Sequence, residues 1–544
     1  MSRYCIGIDT GGTFTDAVLL DTASQEVIHH AKERTTHHDL SIGVGRALGR
    51  LLRQGISTDA ISRLAVSTTL ATNAVVEGHG ARVALFVLGY VRHFKLPVVA
   101  NIFLKGGHTI TGEEDEPLDL EGIIDTLEGL QDEVDSYAVC GAMSIQNPAH
   151  ELVTEKAISM IDPKPVYCSH RVSSHPGIKE RSATACLHAK LKPLMSDFLN
   201  SIQRSMNELG LHCPVTIICG DGSSASLEET VERSALTMAS GPAATARFGA
   251  RGDQQTALVV DVGGTTTDIC LIKDGSPVMS SEGCRIGRWQ THVDAVDMYT
   301  AAGGGDSHVN CDQQGQVTLH ATRVQPLAMT PGLPEPTEWL HSRNDSYLAL
   351  PVERTGEESA NDPIVQHLLA AGPTTPSALA AATGIQGIAL EKRLERLAYL
   401  QQVTLAGFTP TDALHALGQL EIGNRTASEQ GAVALAAELG RSSQDFCLQV
   451  VHAASQAIEN IILTYLARTA WSPEQATMLL NRRSNPFFSV NFAVNLPIIG
   501  IGAAAQYFLP EIARRLQTTV SFPEHFEVGN AIGAALIGME QPQA

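Results

Sequence analysis

One pattern occurs twice in this chain, and it limits the folds open to it. Residues 4–20 read YCIGIDTGGTFTDAVLL and residues 257–272 read ALVVDVGGTTTDICLI. Each copy is an apolar strand, an Asp, the run x-Gly-Gly-Thr-x-Thr-Asp and a second apolar strand. That order predicts a β-hairpin closed by a tight glycine turn. Two matched hairpins predict two lobes of similar α/β fold, each contributing one.

The remaining pattern fits that plan. Helical apolar spacing covers 40–55 and 187–210, while 83–91, 136–141, 165–168 and 215–219 read as short buried strands. The expected division is an N-terminal lobe over 1–255, with an inserted subdomain at about 75–175, and a C-terminal lobe over 256–544. An insertion at about 310–420 interrupts the second lobe. Within it, Asn310–Gln325 reads as a hairpin and the Pro-, Glu- and Ser-rich stretch Pro326–Asn361 as an extended loop. Residues 363–420 then read as three helices and a strand, a winged-helix-like order. The helix at Ile388–Gln401 interleaves Lys392, Arg393 and Arg396 with Glu391 and Glu395, which suits a contact module better than DNA. Ala-rich helices follow 424, then a strand–Gly–helix unit at 496–516 and a final helix at 528–540 that returns to the first lobe.

Composition narrows the class. Lys plus Arg number 38 against 58 Asp plus Glu, a formal charge of −20. So acidic a chain is expected to avoid nucleic acid and anionic membranes. The ten cysteines are scattered with no C-x-x-C spacing, as expected of reduced, individually buried thiols. Met1 leads directly into the Tyr4–Ile8 strand, so neither a signal peptide nor a membrane span is expected and the location reads as cytoplasmic.

The chemistry sits at the turns. Gly11-Gly12 and Gly263-Gly264 let backbone N–H groups approach a phosphate with no Cβ in the way. Thr13, Thr15, Thr265 and Thr266 add hydroxyl donors there. Asp9 and Asp261 end their strands where a carboxylate could hold Mg²⁺ through water. With Thr13 and Thr265 they form the catalytic set. Asp16 and Asp268 close the hairpins. A third element, Pro497–Ala504, ends a strand in Gly500-Ile501-Gly502-Ala503 and opens a helix, a junction suited to a nucleoside. Two small-residue helices, Ser240–Ala250 and Glu527–Leu536, could cross closely at a hinge. The twenty histidines raise a metal question, since His292, Asp294, Asp297 and His308 are close in sequence and His37-His38 form a pair. Neither has the spacing of a transition-metal site.

Taken in order, hairpin, helix, hairpin, nucleoside motif and helix resemble the ATPase superfamily of actin, Hsp70 and sugar kinases. The segments GIDTGGTFTDAVLLD, STTLATNAVVEGHGARVALF, SGPAAT, VVDVGGTTTDI, AAGGGDSHV and GFTPTDALHALG resemble the hydantoinase A/5-oxoprolinase family, with its acetone carboxylase-like members. The resemblance implies a two-lobed actin-like, ribonuclease H-like fold with inserted α+β segments, and ATP and Mg²⁺ as cofactors. It implies an ATP-dependent hydrolase that phosphorylates a cyclic amide or ketone, with a hydrolase or carboxylase partner subunit finishing the reaction. A homo-oligomer is compatible with it. The alternatives within the same fold are a nucleotide-dependent switch or assembly protein and a small-molecule kinase. Carried over residue by residue, Gly303-Gly304-Gly305 matches the family's glycine triplet, expected to be a second phosphate or substrate loop. Thr69, Asn73, Asp297, Asp412 and His415 match positions expected near substrate. The chain departs from the family at Val66-Ser67, Met298-Tyr299 and Ala505-Gln506, where histidines are usual.

Overall fold

A computed structural model describes residues 3–12, 14–36, 40–252, 254–312, 314–341, 345–352, 362–399, 401–481, 487 and 490–540. Thr13 and the His37-His38 pair lie outside the described residues. The chain divides into two compact units: residues 1–255, 270–298 and 528–544 form the first, and residues 256–269 and 299–527 the second.

The first unit is built on a mixed sheet. Strands β1 (Tyr4–Thr10), β2 (Phe14–Asp21) and β3 (Val27–Arg34) run antiparallel, while β4 (Ile61–Thr68) lies parallel to β1 and β5 (Val215–Ile218) parallel to β4. The order is therefore β3-β2-β1-β4-β5, with a two-residue strand beyond β5. In the second unit, β6 (Ala257–Val262) is flanked on one side by β7 (Thr266–Lys273), whose residues 266–269 belong to this unit. On the other, β8 (Ile498–Ile501) and β9 (Val520–Ser521) follow in parallel. The central order of the first sheet thus recurs: a hairpin whose first strand is joined by parallel strands from later in the chain. This is the ribonuclease H-like plan of the actin-type ATPases, made twice. Strands β1, β6 and β8 read as continuous apolar runs because they are covered on both faces.

In the first unit, α3 (Ser240–Gly249) and α5 (Gly529–Glu540) pack on this sheet, while α1 (Leu70–Glu77) packs against the long α2 (Ile178–Glu208). A second, all-parallel sheet forms from Val83–Leu88, Ala100–Leu104, Ser136–Gly141 and Val166–Cys168. The small-residue faces of α3 and α5 serve the close approach expected of them. A Cβ on Gly533 would sit 1.8 Å from the carbonyl oxygen of Ala244, and one on Gly7 of β1 would sit 2.1 Å from that of Ala531. Both helices belong to the first unit. Gly533→Ala must push two helices apart, so it is expected to destabilise by about 3 kcal/mol despite alanine's better helix propensity. An unchanged thermal midpoint would refute this.

The second unit holds the inserted elements. A hairpin forms from Ser307–Cys311 and Val317–Arg323, as the sequence suggested for 310–325. Three helices, Pro363–Ala371, Pro376–Thr383 and Ile388–Tyr399, precede a strand at Val403–Gly407. The first two are capped by Asp362 and Thr375 side chains. The basic residues of the third are tied locally, Lys392 to Glu395 and Arg393 to Asp362. The reading of Pro326–Asn361 as an extended loop needs correction. Tyr347–Pro351 is a strand antiparallel to Val403–Gly407. Its Leu348 and Leu350 enter one core cluster while Ala349 enters another, so it is buried on both faces and shows no polar alternation to read. Residues 353–361 of that stretch lie outside the described residues.

Among the described residues one helix, α4 (Ser443–Ala467), is long and apolar enough to cross a membrane. Over its most apolar window 56% is buried within the protein, and Phe446, Cys447 and Val450 pack in a core cluster, which accounts for its hydropathy. All ten cysteines are free and nine are buried. Burial pushes the Cys140 thiol up to about 11 and Cys5 up to about 12, so both stay protonated.

Candidate functional site

In the first unit, the turn after β1 closes through a hydrogen bond from the Gly11 amide to the Phe14 carbonyl at 3.0 Å. A Cβ on Gly11 would approach that carbonyl at 3.1 Å, so the turn is drawn tight around bare backbone. Asp9, at the end of β1, is 5% exposed and accepts a 2.6 Å bond from Ser67 Oγ at the end of β4. Burial pushes its carboxyl up to about 6, against hydrogen bonds from Ser67 and from Asn530 at the start of α5. Asp16 stands opposite Asp9 across the hairpin, a like-charge pairing that costs energy. Lys32 relieves it from β3, reaching Asp16 at 2.6 Å. Asp9 is thus a desolvated carboxylate whose nearest cation is committed elsewhere, a fit for a metal ion that would repay its burial.

Thr69 and Asn73 are brought to this turn. Thr69 donates through its amide to the Thr10 carbonyl at 3.0 Å and Asn73 Nδ2 donates to Thr69 Oγ1 at 3.3 Å. A Cβ on Gly12 would lie 3.8 Å from Asn73 Nδ2. Thr15 points inward: it is fully buried and shares a 3.1 Å hydroxyl pair with Thr35, whose own hydroxyl reaches the Gly11 carbonyl at 2.8 Å. It braces the turn from behind. Ser67 and Asn530 escaped the sequence reading. Ser67 carried a faint signal, since a parallel strand beside β1 must end near Asp9. Asn530 carried none.

In the second unit the matching turn closes through the Gly263 amide to the Thr266 carbonyl at 3.0 Å, and Asp261 is 8% exposed at the end of β6. Among the described residues, the amides of Gly264 and Thr265 meet no protein acceptor, leaving two N–H donors at a half-buried turn as a phosphate requires. Thr266 Oγ1 turns back to Asp268 at 3.2 Å. Burial raises the Asp268 carboxyl, opposed by bonds from Thr300 and Thr266.

The glycine triplet is placed against this turn, with a different duty from the one expected. The amides of Gly303 and Gly305 donate to the carbonyls of Thr265 and Gly263, both at 3.1 Å, and that of Gly304 donates to Ser307 Oγ at 3.1 Å. All three are spent, so the triplet buttresses the turn and has no amide to offer a phosphate. Its lack of side chains is what lets the two loops meet, since a Cβ on Gly304 would sit 2.4 Å from the Gly263 carbonyl. Asp306, next in sequence, reaches the turn too: a Cβ on Gly264 would lie 2.3 Å from its Oδ2.

The strand–Gly–helix unit also lies beside Asp261, which pairs with Ile501 in register. Gly502 has a φ of +85° and a Cβ there would sit 2.4 Å from Asp261 Oδ1, so this glycine makes room for the acid. Gly500 keeps its face open for a ring, but the ring is Phe522, 2.4 Å from where a Cβ would be. Ala503 is exposed.

Asp412 and His415 require the plainest corrections. Asp412 is fully buried and accepts five hydrogen bonds: from the amides of Leu327, Ala328 and Thr409 and the hydroxyls of Thr409 and Ser428, at 2.7–3.1 Å. As the third residue of a helix over Pro410–Ala416 it closes a capping box with the N-cap Thr409 and holds a neighbouring turn, with no lone pair left for a substrate. His415 is 1% exposed, accepts from the Ile422 amide and is held neutral by burial. Asp297, half-buried in the first unit, donates its amide to the Val278 carbonyl at 2.8 Å. The histidines near it in sequence are separately engaged, His292 with Ser173 and His308 with the Ser346 carbonyl.

Two family models match the chain. The hydantoinase/oxoprolinase N-terminal region covers residues 5–161 and the hydantoinase/oxoprolinase model covers residues 181–537. The chain belongs to the hydantoinase/oxoprolinase family. Its relatives include the caprolactamase subunit alpha of Pseudomonas jessenii, 27% identical over 369 residues, which are 58% of this chain and 50% of that one. Another is the acetophenone carboxylase gamma subunit of Aromatoleum aromaticum, 28% identical over 361 residues, 57% of this chain and 48% of that one. The chain spans about half the length of these curated relatives. Among solved structures, an acetone carboxylase in a nucleotide-free state, titled for ATP-dependent acetone carboxylation, matches with a TM-score of 0.67. The identity is 17%, covering 98% of this chain and 70% of that one. At that identity the match shows that this family member shares the fold.

Proposed function

We propose that this chain is the ATP-using subunit of a hydantoinase/oxoprolinase-type enzyme, activating a cyclic amide or ketone by phosphorylating its carbonyl oxygen. The observation that carries the reading is the duplicated turn: in each unit a Gly-Gly-Thr loop closes beside a buried Asp at a strand end. Gly12 of the first turn and Gly264 and Thr265 of the second would lie along phosphates. Asp9 and Asp261 would hold Mg²⁺, which neutralises phosphate charge when bound. Gly502, Ala503 and the helix they open would lie toward the nucleoside. Thr69 and Asn73 would face the transferred group, since they flank the first turn.

The chemistry explains why a phosphoryl donor is useful. Amide resonance makes a lactam or hydantoin carbonyl a poor electrophile, and an O-phosphorylated imidate is a far better one. The transfer demands positioning and charge neutralisation more than covalent catalysis. The named relatives act on a lactam and on ketones and are subunits, which supports a partner that completes ring opening or carboxylation.

The test is ADP release by the full chain with Mg²⁺ across hydantoins, 5-oxoproline, lactams and small ketones. Stimulation of about tenfold or more by one compound is expected, in line with binding energy used to align the reacting groups. ADP release equal to that of a heat-inactivated sample with every compound would overturn the reading.

A further inference from the structure

The glycine triplet spends its own amides beside the second turn, and the residue that follows it is carried there too. Asp306 meets Gly264 in two ways. Its amide donates to the Gly264 carbonyl at 2.6 Å. Its carboxylate lies over the Gly264 Cα, where a Cβ would come within 2.3 Å of Oδ2 and 2.8 Å of Cγ. A side chain at 264 would displace that carboxylate, just as one at 502 would displace the carboxylate of Asp261. The same loop touches the strand–Gly–helix unit, since a Cβ on Gly305 would lie 3.7 Å from Ala504 Cβ. The Ala504 amide in turn donates to the Val262 carbonyl at 3.3 Å. Asp261, Asp306 and the amides of Gly264 and Thr265 are thus gathered around the carboxyl end of β6, all within the second unit.

Those amides suit a phosphate, yet a carboxylate overhangs them. A Cβ lies about 2.5 Å from its own residue's nitrogen, which puts Asp306 Oδ2 within about 5 Å of the Gly264 nitrogen. Like charges at such a separation repel strongly at a half-buried turn. A bare phosphate on the amides is therefore opposed by Asp306, while one that arrives with a divalent cation is not. Mg²⁺ is ordinarily held by one or two carboxylates together with phosphate oxygens and water. Asp261 supplies one such carboxylate in the reading above, and Asp306 is placed to be the other. A structural role accounts for the amide bond to Gly264, which any residue but proline could make at 306. It does not account for a negative charge set beside donors that await an anion.

We propose that Asp306 is a second metal-facing acid at this turn, and that it makes the turn select phosphate carried with a divalent cation over the bare anion. The inference rests on the functional reading above and deepens it by stating the form in which nucleotide is accepted. Asp306 did not stand out in the sequence, where it follows three glycines as an ordinary turn residue.

The test is ADP binding to the full chain by calorimetry, once with Mg²⁺ and once with EDTA. Wild type is expected to bind ADP more tightly with Mg²⁺. Asp306→Asn keeps the side chain's shape and the amide bond to Gly264 and removes the charge. It is expected to weaken binding about tenfold with Mg²⁺ and to tighten it about tenfold with EDTA. Asp306→Ser should show the same opposite signs, and it decides the matter if the asparagine variant fails to fold. A merely structural role moves both affinities the same way. No ADP binding by wild type, binding indifferent to Mg²⁺, or shifts in the variant that are absent or of one sign would each overturn the assignment. Wild-type ADP release with the hydantoins, lactams and ketones separates the two ideas. Stimulated turnover with shifts of one sign in Asp306→Asn removes the selecting role and leaves the enzyme. Shifts of opposite sign without turnover in wild type do the reverse.

Discussion

Asp9→Asn is expected to lower Mg²⁺-dependent ATP turnover by about 10²–10³-fold while leaving the protein folded and more stable than wild type. The loss follows from removing a charge placed where phosphate charge must be neutralised. The gain in stability follows from burial. The Asp9 carboxyl is pushed up to about 6, above its unfolded value of 3.8, so the folded chain holds a proton that the unfolded chain releases between about pH 4 and 6. Its contribution to stability is therefore present below the unfolded pKa and is lost as pH rises through the folded one. Asparagine still accepts from Ser67 and removes that loss, at the expense of the Asn530 bond, for a net gain of about 1–2 kcal/mol at pH 7. The variant's thermal midpoint should exceed wild type at pH 7, with the difference shrinking toward pH 4. Unchanged turnover would refute the assignment. A lower midpoint at pH 7 would refute the account of its burial.

Asp412→Asn should do the opposite. All five partners of this carboxylate are donors, so an amide NH₂ would be turned against N–H or O–H groups already committed to it. Stranding buried donors there is expected to cost about 3–5 kcal/mol and lower the thermal midpoint by about 10 °C. In the fraction that stays folded, the ATP and substrate dependence should match wild type. A variant of normal stability with a raised KM for substrate would return Asp412 to the substrate site. The pair of substitutions separates two buried acids that look alike in sequence. One lies at a strand end beside a glycine turn, the other inside a closed set of donors.

Local pattern was enough wherever function demands a backbone shape. The two Asp-x-Gly-Gly-Thr turns, their flanking strands and the α/β class were all legible, because a tight turn between buried strands needs glycine and leaves an unmistakable apolar–Gly–apolar trace. The close α3–α5 crossing was legible for the same reason, since Gly533 has no other use in a helix. What the sequence could not express is which partner each polar atom finds. The glycine triplet looked like a phosphate loop, and only its position against Gly263–Thr265 showed its amides to be occupied. Gly500 looked like space for a base until Phe522 filled it. Tyr347–Pro351 hid as a strand because both faces are buried. Ser67 and Asn530 come from a strand and a helix far apart in the chain, and hydrogen-bond satisfaction is a property of the packed interior. The sequence by itself determined the turns and the class. Tertiary structure alone decided which carboxylates and donors remain unsatisfied, because that depends on neighbours brought together by folding.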